Sequence, residues 1–182
     1  MKNELLEQEK TRFEEMSRTE LLETVQPALG TLINTISPDG TENVPALIGL
    51  ISSCMKLGFG TNDPSPRQKD FGEEVFDLLG LSMSAAGLYW GLHISDLDYR
   101  ALSLWEEAGF DVGLAMFDLL MCSAYADGGL DPGVEEEIAE IFAPLLEQKI
   151  KLEQMSSQLD ELEEMMKKLC EEAGIPYPPE DE

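Results

Sequence analysis

The sequence is poor in positive charge. It holds 12 Lys and Arg against 37 Asp and Glu, with one His, for a net charge of −25 over 182 residues. A protein that grips nucleic acid or an anionic membrane with its own surface needs clustered Lys and Arg, so the composition argues against both modes. Cysteine is scarce too. Cys54, Cys122 and Cys170 are odd in number and contain no CxxC pair, so they make no disulfide framework and lack the spacing of zinc ligands, although a mixed Cys/His/carboxylate site stays conceivable. They read as free thiols in a reducing compartment. His93 stands alone, so a three-histidine catalytic zinc is impossible. Long apolar runs are also missing. The longest uncharged one, Leu78 to Ser95, is broken by Ser82, Ser84 and three glycines, and it is flanked by Asp77 and Asp96 rather than by basic residues. It reads as a buried core helix, not a membrane span. The opening Met1 to Glu7 lacks the apolar stretch of a signal peptide. The expected location is cytoplasmic, in a bacterial host cytosol, with no membrane partner.

The motifs of catalysis are absent as well. Gly58-Phe59-Gly60 does not extend to a dinucleotide fingerprint, and no Gly-Lys-Ser/Thr phosphate loop occurs. His93 lies near Asp96 and Asp98, but no nucleophile elbow accompanies it. Asp96-Leu97-Asp98 is a minimal carboxylate pair of a kind that chance supplies often. Asp127-Gly128-Gly129-Leu130-Asp131 resembles the start of a calcium loop and fails it. Gly129 stands at the third position, Pro132 where the invariant Gly belongs, and Ile138 where the final Glu belongs. The same stretch reads better as a helix stop at Gly128-Gly129 and a new start, with Asp131 as N-cap and Glu135 to Glu137 at the positive end of the helix dipole. No catalytic residue, cofactor or metal ligand is assigned, and no enzymatic activity is expected.

What the chain does have is apolar residues, 43% of the total, at helical spacing. This separates it from a disordered acidic tail, in which high charge comes with low hydrophobicity. Residues 2–16 form an amphipathic pattern through Leu5, Leu6, Phe13 and Met16. Ser17-Arg18-Thr19-Glu20 is a capping box, and the helix after it carries Pro27, which is expected to bend or break it. Ser37-Pro38-Asp39-Gly40 is a turn. An apolar helix is expected over 44–57, a loop over 58–66, and helices near 68–92, 96–108 and 110–126. Phe-Asp-Leu-Leu occurs at 76–79 and again at 117–120, a weak hint of an internal repeat. Gly87-Leu88-Tyr89-Trp90-Gly91 has the small-residue spacing that lets helices approach closely.

The C-terminal third is the most regular. Ile138, Ile141, Leu145, Leu152, Met155, Leu159, Leu162, Met166 and Leu169 follow a three-four spacing interrupted by Gln148. Pro144 is expected to open a new helix there. Leu145, Leu152, Met155, Leu159, Leu162, Met166 and Leu169 would form a self-association seam giving a homodimer. The competing reading is a helix folded back on its own domain. The expected class is all-α: a compact acidic helical domain over residues 1–143, an amphipathic heptad helix over 144–175, and an acidic Pro-rich tail over 176–182.

Charge is distributed unevenly. From Ala101 to Gln148 there are 11 acidic residues and no basic one. A net charge of about −2 to −8 keeps a small domain soluble, so the excess points to a partner. The candidate contact residues are Glu106, Glu107, Asp111, Asp127, Asp131, Glu135, Glu136, Glu137, Glu140 and Glu147. The expected partner is a basic nucleic-acid-binding protein, because rows of carboxylates can stand in for phosphates.

Two resemblances bear on this. The run Ala124 to Asp131, followed by Glu135 to Ile138, resembles the Ala-Asp-Gly turn of TerB-like helical domains. That likeness implies an all-helical fold and divalent-metal binding through Asp127 and Asp131. In size, acidity, helical content and lack of motifs, the whole chain is similar to phage-encoded anti-CRISPR proteins that inhibit type II-A Cas9. That likeness implies a stoichiometric, non-enzymatic inhibitor of Cas9 with its guide RNA, blocking DNA binding or cleavage. It carries over no individual residue.

Overall fold

A computed structural model describes residues 2–38, 43–60, 64–81, 94–174 and 177. Among them the chain is all-helical, with no strand. Eight helical segments follow in order: α1 (Lys2–Glu14), α2 (Arg18–Ile36), α3 (Val44–Phe59), α4 (Pro66–Leu78), α5 (Asp96–Ser103), the single turn α6 (Trp105–Ala108), α7 (Phe110–Tyr125) and α8 (Pro132–Ala173). The chain divides into two compact units, Met1–Leu145 and Leu146–Glu182. His93 and the Gly87 to Gly91 spacing lie outside the described residues, as does most of the Leu78–Ser95 run.

The first unit is built around α7. Its sequence is apolar on nearly every side, and Val112, Ala115, Met116, Phe117 and the run Leu119 to Ala124 are all buried. A helix of this kind is stable only when neighbours wrap it. Helices α2 and α3 supply the two main flanks, and α1, α4 and α6 add smaller contacts. Phe117 meets Phe13 of α1 and Phe142 of α8 edge-to-face, with centroids 6.4 and 5.2 Å apart. Phe13 also stacks on Tyr125. The two Phe-Asp-Leu-Leu copies sit in different environments. Phe117, Leu119 and Leu120 are fully buried, whereas in the first copy only Phe76 is, and Leu78 is exposed.

Gly58 sets how closely α3 approaches α7. A Cβ at this position would overlap the carbonyl oxygen of Leu120 and crowd Ser123. Two turns of helix therefore meet backbone to backbone. Gly60 then ends α3 in the left-handed region, with φ 62°, and its N–H closes on the carbonyls of Lys56 and Leu57.

Two prolines lie inside helices that continue past them. Pro27 faces solvent on α2, while Val25, Ala28 and Leu29 pin the buried side. The expected break there does not occur. Pro144 likewise does not open a new helix, because α8 runs from Pro132 to Ala173 without interruption. Burial of Phe142, Ala143 and Leu145 on either side of Pro144 offsets the ~3 kcal/mol that an interior proline costs. The real start of α8 is the one read from the Asp-Gly-Gly turn. Asp131 Oδ1 accepts from the Gly133 N–H at 2.7 Å, and Pro132 is the first helical residue.

Replacing Gly58 with Ala should push α3 off α7. The expected loss is about 1–3 kcal/mol, the range for overpacked cores. Thermal or urea unfolding of the variant checks this, and an unchanged midpoint would contradict the close approach.

Candidate protein-interaction surfaces

The acidic residues singled out from the sequence fall into two groups. Glu106 and Glu107 on α6, Asp111 at the start of α7, and Glu136, Glu137 and Glu140 on α8 are exposed. The other four are half-buried or serve as a helix cap. Asp127 is half-buried, accepts a hydrogen bond from Ser65 and lies 3.7 Å from the Arg67 guanidinium. Asp131 is exposed but serves as the α8 cap and packs against Gly60. Glu135 is half-buried and pairs with Lys10 at 3.0 Å. Glu147, also half-buried, belongs to the second unit. Asp127 and Asp131, the positions implied by the TerB resemblance, thus have structural partners. Among the described residues no three His, Cys, Asp or Glu gather to hold a metal ion.

The field of these carboxylates registers on their neighbours. Burial raises the Tyr99 phenol, and the charges of Glu137, Asp98 and Asp131 push it further. Lys10 is raised first by its hydrogen bond to Glu7, against burial, and then by Glu135. Glu7 is correspondingly lowered by Lys10.

Sequence reasoning missed the most buried polar cluster. Lys56, in the last turn of α3, places its ammonium 2.8 Å from both carboxylate oxygens of Asp98 at the start of α5. Their side chains are only 10% and 6% exposed, so the pair is desolvated. Ser53 donates to Asp98 at 2.8 Å, and Ser95 donates both its backbone N–H and its hydroxyl. Burial would raise the Asp98 carboxyl, but the hydrogen bonds from Lys56, Ser53 and Ser95 and the charge of Lys56 outweigh it, and the group is held below its usual value. The sequence did carry a signal: a lone Lys in an apolar helix, and a Ser-x-x-Asp box at Ser95. The charge of Asp98 is therefore balanced by Lys56.

The heptad residues divide at the boundary between the units. Leu145, expected in the self-association seam, is instead fully buried in the first unit, where it lies against Gly113. Its neighbours in the pattern were right for a helix, but domain packing takes this one. Leu152, Met155, Leu159, Leu162, Met166 and Leu169 are exposed, from 46% at Leu152 to 64% at Leu159. They run down one side of α8 in the second unit. Met165 is exposed beside them. Cys54 and Cys122 are buried in the first unit, and burial pushes both thiols well above their usual value. Cys170 is half-exposed on the second unit.

No family model, no curated protein and no solved structure matches this chain. No helix among the described residues is long and apolar enough to cross a membrane.

Removing one partner of the buried pair should be costly. Lys56→Met leaves Asp98 charged and unpaired, and about 3–5 kcal/mol of stability should be lost. The double variant Lys56→Met/Asp98→Leu should recover much of it, as a chemical-denaturation cycle would show. The pH dependence follows from the lowered carboxyl. The pair's contribution is complete above the unfolded value of about 3.9 and fades as pH falls through the lower folded value. Acid melts of the wild type should therefore drop below about pH 4, more steeply than those of the double variant.

Proposed function

We propose that the chain is a non-enzymatic protein inhibitor whose acidic helical surface occupies a basic nucleic-acid-binding region of its target and so blocks DNA binding or cleavage. One observation carries the reading. Glu106, Glu107, Asp111, Glu136, Glu137 and Glu140 all stand exposed on helices in a segment of 48 residues that holds no Lys or Arg. Carboxylates fixed on helices can replace a row of phosphates in a positively charged channel. They gain fast electrostatic association and release counterions as DNA does. The Lys and Arg gather instead toward the chain ends, where four of the 12 fall in the first 18 positions and four after Gln148. The target that the whole-chain resemblance implies is guide-loaded Cas9, whose heteroduplex channel is basic.

The test is a titration of the full-length protein into a guide-loaded Cas9 cleavage assay at two salt concentrations. Inhibition should be complete near stoichiometric ratio. It should weaken as salt rises from ~50 to ~200 mM, since the contacts are ionic. Glu136→Lys/Glu137→Lys should raise the inhibitory concentration about tenfold or more while the chain stays folded, as a cooperative melting curve checks. These two positions are chosen over Glu135, whose reversal would also break the Lys10 pair. Absence of inhibition at large molar excess would overturn Cas9 as the target.

A further inference from the structure

We infer that the exposed stripe of α8 is one half of an antiparallel two-stranded coiled coil formed with a second copy of this chain. The inference does not depend on the acidic-surface reading above. It starts from the width of the stripe. With Leu152, Leu159 and Met166 at the first core position and Met155, Leu162 and Leu169 at the fourth, the apolar residues repeat strictly by three and four. The flanking positions are polar at Lys149, Ser156 and Glu163 on one side and at Lys151, Gln158 and Glu172 on the other, with Met165 the only long apolar exception. A seam this narrow suits one partner helix. A helix lying on a globular surface needs a broader apolar face, with a third position in each heptad.

Charge then selects the direction. In an antiparallel pairing Leu152 lies opposite Leu169 of the second copy, Met155 opposite Met166, and Leu159 opposite Leu162. That register sets Lys151 of each chain against Glu172 of the other, and symmetry makes the ion pair twice. A parallel, in-register pairing would instead bring Lys151 to Ser156, Gln158 to Glu163 and Met165 to Cys170, with no opposite charges meeting. Length agrees as well. The antiparallel register carries Gln148 of one chain to Ala173 of the other, the last helical residue, so it uses the exposed arm end to end and never calls on buried Leu145. Those 26 residues of helix span about 39 Å, between three and four heptads.

Light scattering of the full-length chain should give twice 20.2 kDa at micromolar concentration. Leu159→Glu/Leu162→Glu should weaken dimerisation at least a hundredfold. Both residues are exposed, so the first unit should keep its melting temperature. Direction is read in a Cys170→Ser background. Leu152→Cys combined with Leu169→Cys should cross-link to a covalent dimer under mild oxidation, and Leu169→Cys alone should not. Lys151→Glu should weaken the dimer about tenfold, and adding Glu172→Lys should restore it. A monomer at tens of micromolar, a trimer, cross-linking by Leu169→Cys alone, or failure of the charge swap to rescue would each overturn the antiparallel homodimer.

Discussion

The backbone contact between α3 and α7 at Gly58 is the constraint on which the first unit rests. Helix α7 has almost no face to offer water, so every flank must be covered. A glycine against the Leu120 carbonyl lets α3 lie close enough to cover its flank without a gap, and voids at such a junction are expensive. Once α3 is seated, its last turn fixes where Lys56 points, and so where α5 is held.

Ionic and capping contacts do the positioning that apolar packing leaves open. Hydrophobic burial has no direction and cannot by itself fix the rotation or slide of short helices. Asp98 binds Lys56, Ser53 and its own helix start at once, which locks the eight-residue α5 onto α3. Gln68 works similarly at the start of α4. It closes a capping box with Ser65 and donates to the Phe59 carbonyl, joining α4 to the end of α3. A net charge of −25 sets carboxylates repelling one another across the domain. The few cations are therefore placed where they count: Lys10 at Glu135, Arg12 at Asp118, Arg18 at Glu74.

Helix positions were legible where their signals are local, but the helix expected over 68–92 ends at Leu78, with Gly80 in the left-handed region at φ 67°. The Ser17 to Glu20 box, the Asp131 cap and the apolar periods of α3 and α7 each depend on a few adjacent residues. No break falls at Pro27 and no helix starts at Pro144, because the sequence does not show which face of a helix meets water. Pro27 is harmless because it is on the wet side, and Pro144 because Phe142, Ala143 and Leu145 are buried around it. Leu145 and Leu152 look alike in the heptad pattern. Only tertiary packing separates the core residue from the exposed one. The Lys56–Asp98 pair spans 42 positions and could not be inferred without the fold. The acidic surface was visible as composition, but the division between exposed carboxylates and those bound to Ser65, Lys10 or a helix start was not.

The placement of sulfur gives the two units different chemical durability. Cys54 and Cys122 are sealed in the core with thiols pushed up, so little thiolate exists for an oxidant to attack. Met116 and Met121 are equally enclosed. The arm instead carries Met155, Met165 and Met166, each more than half exposed, along with Cys170. An oxidant reaches those thioethers first and turns them into polar sulfoxides, a change that reductases reverse. Peroxide would thus add polar groups along one side of α8 while sparing the enclosed Cys54, Cys122, Met116 and Met121.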